Sequence, residues 1–105
     1  MSVAELFKET RLPVLAAPLF IISYPELVIA QCKAGVIGSF PALNARPAEE
    51  LEKWIVKISS ELEQYKKDNP NEIVSPFAVN QICHSSNDRL EHDVDVCVKN
   101  QVCLL

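Results

Sequence analysis

Short apolar runs alternate with helical stretches along this chain, and that alternation constrains the fold more than any other feature. The runs fall at residues 14–17, 36–40, 77–82 and 102–105, and each gap between them holds a helix-length segment. Strands joined by helices of this length must lie parallel, because a parallel pair needs a crossover connection, and such crossovers are right-handed. An α/β fold built from βα units follows. Two architectures fit it: a (β/α)8 barrel of which this is the N-terminal half, with its first four strands, or a small open doubly wound sheet. Both gather ligands at the C-terminal ends of the strands.

Local signals place the elements. Ser2 and Glu5 form an S-x-x-E capping box for a first helix running to about Arg11. Pro13 opens the first strand and Pro18 closes it, since proline brings no N–H to a ladder. Pro25 begins a second helix and Gly35 stops it. This helix is apolar nearly all round, which predicts deep burial. Gly38, in the second strand, suits either close approach of a ligand or tight packing.

The third helix, from near Pro47, carries Leu51, Trp54, Ile55, Ile58, Leu62 and Tyr65 on one stripe, with Glu and Lys opposite. A strand over residues 77–82 leads through Cys83 and His84 into Ser85-Ser86-Asn87-Asp88, a run of good N-cap residues. The final helix is expected to turn Leu90, Val94, Cys97 and Val98 inward.

Composition narrows the partners. A length of 105 residues fits one small domain, and a net charge of -4 without Lys or Arg clusters gives no footprint for nucleic acid or an anionic membrane. Prolines and Glu26 break the apolar stretch over residues 12–30 below the ~20 residues of a bilayer span. The N-terminus, where Glu5 and Glu9 mix with Lys8 and Arg11, lacks the order of a secretory signal, so the chain reads as cytoplasmic. Cys32, Cys83, Cys97 and Cys103 match neither a redox pair nor a zinc spacing, and no metal site is expected.

Candidate chemistry lies in the loops after the strands. With glycine only at 35 and 38, the chain has no dinucleotide fingerprint and no P-loop. The first loop, from Ala17 and Pro18 through Leu19 to Ser23, is apolar; it could border a flat aromatic ligand or simply pack. Asn80 and Gln81 are adjacent on a strand, so one of them must face the interior, where its amide needs a partner: a cofactor ring or a structural network. Asn44 and Arg46 face the same choice, with a solvated or capping role favoured. His84 sits just past the third strand, where it could serve a substrate as acid, base or donor, although the Asn87-Asp88 helix-cap neighbourhood favours a structural role. His92, between Glu91 and Asp93, reads as solvent-facing.

Three ordered motifs then carry a resemblance: Leu12-Pro13-Val14-Leu15-Ala16-Ala17-Pro18-Leu19-Phe20, Ala34-Gly35-Val36-Ile37-Gly38-Ser39-Phe40-Pro41-Ala42-Leu43-Asn44-Ala45-Arg46, and Pro76-Phe77-Ala78-Val79-Asn80-Gln81-Ile82. Together they resemble the N-terminal part of the nitronate monooxygenases, formerly called 2-nitropropane dioxygenases. The resemblance implies a flavin-dependent (β/α)8 barrel that holds FMN and oxidises alkyl nitronates with O2 to a carbonyl compound and nitrite. It also implies that Ala17, Pro18 and Leu19 line one side of the isoalloxazine ring, and that Asn80, with Gln81, hydrogen-bonds its polar edge. Asn44 is a weaker candidate for the same pocket.

The family's catalytic histidine and FMN phosphate loops belong to the second half of the barrel and match nothing here, so His84 and His92 inherit no catalytic role. The 105 residues alone are therefore expected neither to bind FMN tightly nor to turn over nitronates, and residues 102–105 are expected to form an uncovered edge. Two other readings are an FMN-dependent enoyl-acyl-carrier-protein reductase using NAD(P)H, and a non-catalytic truncated fragment that folds poorly or associates with another half-barrel.

Overall fold

The computed structural model describes residues 2–105. It is an α/β arrangement in which a parallel sheet of three strands, β1 (Gly38–Pro41), β2 (Phe77–Asn80) and β3 (Cys103–Leu104), keeps sequence order. Gly38 to Pro41 pair in turn with Phe77 to Asn80, and Ala78 and Val79 pair with Cys103 and Leu104. The helices are α1 (Val3–Phe7), α2 (Pro25–Ala34), α3 (Glu50–Asp68) and α4 (Leu90–Lys99). No helix among the described residues is long and apolar enough to cross a membrane.

The expected first strand over residues 14–17 is reduced to a single parallel bridge, Leu15 with Ile37. Ala16 N–H donates to Ile37 O at 2.8 Å, and Ile37 N–H donates to Val14 O at 3.0 Å. Pro13 and Pro18 flank this segment without N–H groups, so the ladder cannot lengthen. The segment still lies beside β1, and Ser39 Oγ ties it down by donating to Ala16 O.

α2 and α4 both pack on α3, and the three helices bury one face of the sheet. Alternation sends Phe40, Phe77 and Val79 toward the helices, where they meet Val28, Cys32, Leu51, Ile55, Ile58 and Cys97 in one apolar cluster. The Trp54 ring lies 5.6 Å from that of Phe40 and 5.0 Å from that of Tyr24. Each fully buried Leu, Ile or Phe contributes ~1.5–3 kcal/mol, which makes this cluster the main source of stability.

The local signals explain the helices. Glu5 N–H donates to Ser2 Oγ at 3.2 Å, and Ser2 N–H donates to Glu5 Oε2 at 3.1 Å, completing the capping box. α1 ends at Phe7 rather than Arg11, because Thr10 Oγ1 donates to Phe7 O and Arg11 N–H has turned away to Gly35 O. Pro25 stands in the first turn of α2, and Gly35, at φ 93°, caps its end in the left-handed region that other residues avoid.

α2 is buried on one side only, through Pro25, Val28, Ile29 and Cys32, while Glu26, Ala30 and Ala34 face solvent. Glu26 accepts a 2.7 Å bond from Lys57 on α3, which holds its carboxyl below the ordinary value. Both partners are exposed, so this pair adds little to stability.

Gly38 is needed for packing. A Cβ there would come within 2.7 Å of Val28 O and 3.0 Å of Cys32 Sγ, so α2 occupies the room that a side chain would take.

α4 departs most from expectation. Its buried residues are Asp93 and Cys97, with Arg89 preceding them by one turn, while Val98 is 63% exposed and Leu90 and Val94 are half-buried. Cys97 is inward as expected, but it shares the inward stripe with a charged pair in place of Leu90, Val94 and Val98. The N-cap is Arg89, whose side chain makes no capping bond to the helix backbone, rather than one of residues 85–88; Asn87 Oδ1 instead accepts from Arg89 N–H at 3.1 Å.

Candidate functional site

The loops that follow residues 14–16, β1 and β2 all emerge at the carboxyl ends of the sheet. The first of them exposes Leu19, Phe20, Ile21 and Ile22, four large apolar side chains in succession, each between 46% and 64% accessible. Such a loop would collapse or wander without internal bonds. Here Leu19 N–H donates to Ser23 Oγ at 2.8 Å, and Ser23 N–H returns to Leu19 O at 2.9 Å. Ile21 takes a left-handed conformation, φ 51°, which is costly for a β-branched residue and persists only where surrounding bonds impose it.

Asn44 imposes it. Its side chain is 4% exposed; Oδ1 accepts from Ile21 N–H at 3.0 Å, while Nδ2 donates to Leu19 O at 3.1 Å and to Ser23 O at 3.0 Å. The amide that sequence left open between capping and ligand binding is thus spent on the backbone of the neighbouring loop. Asn44 is presented by a 3-10 turn, Ala42–Asn44, directly after β1. Arg46 follows it, donating to Leu43 O at 3.0 Å and resting its guanidinium 5.2 Å from the centre of the Phe20 ring.

Arg89 holds that turn from the other side. Nη1 donates to Ala45 O at 2.7 Å and Nη2 to Ala42 O at 3.2 Å, while Nη2 also reaches Asp93 Oδ1 at 3.3 Å. Arg89 Nε lies 3.2 Å from Asp93 Oδ2, at an angle that leaves both atoms without a hydrogen bond. Asp93 is fully buried, and its Oδ1 also lies 2.8 Å from His92 Nδ1. Half of the His92 side chain is exposed, as its flanking acids suggested, but its ring is held by the carboxylate of Asp93.

Asn80 and Gln81 face opposite ways, as alternation requires. Asn80 leaves the sheet on the face away from the helices, at the level of Pro41, and among the described residues its side chain makes one hydrogen bond, a 3.4 Å donation from Nδ2 to Leu105 O. Gln81 turns toward the helices, where Nε2 meets Cys97 Sγ at 3.5 Å and Oε1 is buried without a partner. Gln81 therefore does not join Asn80 at a common ligand edge.

His84 is exposed beyond β2. Its Nδ1 accepts from Ser86 N–H at 3.1 Å and lies 2.8 Å from Ser86 Oγ, so the neutral ring keeps its proton on Nε2 and offers a donor to solvent.

Ala17 and Leu19 are exposed and Pro18 half-buried, so all three are open to a ligand on the rim. A depression of about 430 Å³ bordered by Leu43, Arg46, Ile82 and the 86–89 segment includes neither these three residues nor His84. Among the described residues, no cluster of three His, Cys, Asp or Glu side chains could hold a metal ion. Burial lifts the thiols of Cys32 and Cys97 from 9.0 to about 11, which makes them packing groups rather than nucleophiles. Cys83 is exposed and Cys103 half-buried.

Sequence reading missed Arg89, Asp93 and Ser23. Arg89 and Asp93 stand at i and i+4, the spacing of a helical ion pair, and that was the available signal. Nothing local marked Ser23. Compared with models of protein families, with curated proteins and with solved structures, the chain matches none.

Proposed function

We propose that these residues are the N-terminal half of a flavin-dependent (β/α)8 barrel that oxidises alkyl nitronates with O2 to a carbonyl compound and nitrite. The observation that carries this reading is the parallel bridge between Leu15 and Ile37. It extends the sheet to four segments in strict sequence order, with α2, α3 and α4 packed side by side. A doubly wound sheet reverses its strand order at the ligand crevice, whereas a barrel does not. In the sequential order, Pro18, Pro41 and Asn80 end on one rim.

The residues suit part of FMN. Ala17, Pro18 and Leu19 offer an accessible apolar edge to a flat ring, and Asn80 retains an amide oxygen with no hydrogen bond and a second amide hydrogen. FMN, when bound, supplies the electron transfer; the chain's own residues orient the ring and keep water from one side of it. Nothing here suits the phosphate, since no glycine-rich cradle lies on this rim. The activity accordingly belongs to a polypeptide that also carries the family's phosphate loops and catalytic histidine.

FMN titration followed by assay with an alkyl nitronate tests the proposal, using the 105-residue chain and any longer polypeptide that contains it. The longer form is expected to bind FMN, consume O2 and release nitrite, and the 105-residue chain to do none of these. Oxidation of NAD(P)H without nitrite release would replace this reading with the enoyl-acyl-carrier-protein reductase. Failure of both forms to bind flavin would leave a non-catalytic chain.

A further inference from the structure

The three loops at the carboxyl ends of the sheet are joined by two side chains. Asn44 spends all of its amide bonding on the backbone of residues 19–23, and Arg89 spends its two terminal nitrogens on the carbonyls of Ala42 and Ala45, which bracket Asn44. Asp93, fully buried one turn along α4, fixes the guanidinium that does this.

We infer that Asn44 and Arg89 are positioning residues that make these loops one preformed rim, so that α4 sets the shape of the 19–23 loop although Arg89 makes no hydrogen bond to it. The inference deepens the functional proposal and rests on it only for the identity of the ligand. Two features independent of any ligand support it. Ile21 sits in a conformation that a free loop would abandon, and its N–H is held by Asn44 alone. Four apolar side chains stay exposed on that loop instead of folding back on the core. A loop held open in this way has met its ordering cost before binding, which favours affinity.

Arg89 is suited to the task because a guanidinium fork reaches two carbonyls and a carboxylate together. A lysine keeps the charge and loses the fork.

Amide hydrogen exchange on the full 105-residue chain, followed by NMR, tests the coupling. The amide of Ile21 is the reporter and the amides of α3 are the reference for global opening. In Asn44→Ala, which removes all three bonds of the amide to the loop, exchange at Ile21 is expected to quicken by roughly ten-fold or more, and by a larger factor than at α3. In Arg89→Lys, exchange at Ile21 is expected to quicken several-fold, with α3 unchanged. Arg46→Lys, which alters the contact with Phe20 but not the clamp, should leave Ile21 at the parent rate.

The inference is overturned if Arg89→Lys leaves Ile21 as slow as in the parent chain, or if Ile21 and α3 quicken by the same factor. FMN titration of the flavin-binding form separates the two claims. A fall in affinity with Arg89→Lys extends the coupling to the ligand. Absence of flavin binding in the unsubstituted protein sinks the functional proposal and leaves the exchange data to decide the coupling.

Discussion

The helix-covered face of the sheet and the rim at its carboxyl ends are stabilised by opposite means. On the covered face, apolar side chains from α2, α3 and α4 meet Phe40, Phe77 and Val79 in one close-packed cluster. At the rim, apolar side chains point outward, while the buried Asn44 and the largely buried Arg89, itself paired with buried Asp93, hold the backbone. Close packing tolerates small shifts at some cost in energy; a buried hydrogen-bond network tolerates few, since each lost partner leaves a desolvated group behind. The contrast suits a molecule whose body must be stable and whose rim must keep one shape.

Core truncation sharpens the comparison most. Phe40→Ala removes a fully buried ring and its contact with Trp54, and should cost about 4 kcal/mol in a denaturant titration. A loss below about 1 kcal/mol would mean that the covered face is not the main support.

Asp93→Ala comes next, with an expected cost of about 3 kcal/mol, because it strands the largely buried Arg89 guanidinium without its counter-charge. If stability instead rose, burial of this pair would be a net expense, and the rim would owe its shape to Asn44 alone.

The response to alkali is the most gradual of the three effects. Burial raises the thiols of Cys32 and Cys97 to about 11 from 9.0, so the folded chain keeps protons that the unfolded chain releases between those values. Their contribution is full below pH 9 and is lost as pH rises toward 11, by up to ~1.4 kcal/mol per pH unit for each thiol. Urea midpoints measured across this range should fall, and less steeply in Cys97→Val. Equal slopes in the two chains would show that Cys97 is not sealed into the core.

What the sequence disclosed follows the range of the interactions involved. The capping box at Ser2 and Glu5, the stripe of α3, and the Pro25 and Gly35 boundaries of α2 depend on residues a few positions apart, and all are present. Residues 14–17 were legible as extended, but the prolines around them allowed only a bridge. In α4 an apolar stripe was expected because hydrophobic periodicity passes over Arg89 and Asp93, which bury themselves by pairing with each other.

The rim itself was foreseeable from the alternation of strands and helices, and the divergence of Asn80 from Gln81 from the two-residue repeat of a strand. The clamp was not. Asn44 binds backbone atoms 21 to 25 positions earlier, and Arg89 reaches carbonyls 44 and 47 positions earlier. Such bonds come into being only when the sheet has brought distant loops side by side.

Gly38 gives the molecule its spacing. With a carbonyl of α2 seated where a side chain would stand, even a methyl group at that position acts as a wedge, lifting the helix from the sheet. α2 begins directly after the loop that Asn44 clamps, so a substitution made for the interior would be carried along the helix to the rim.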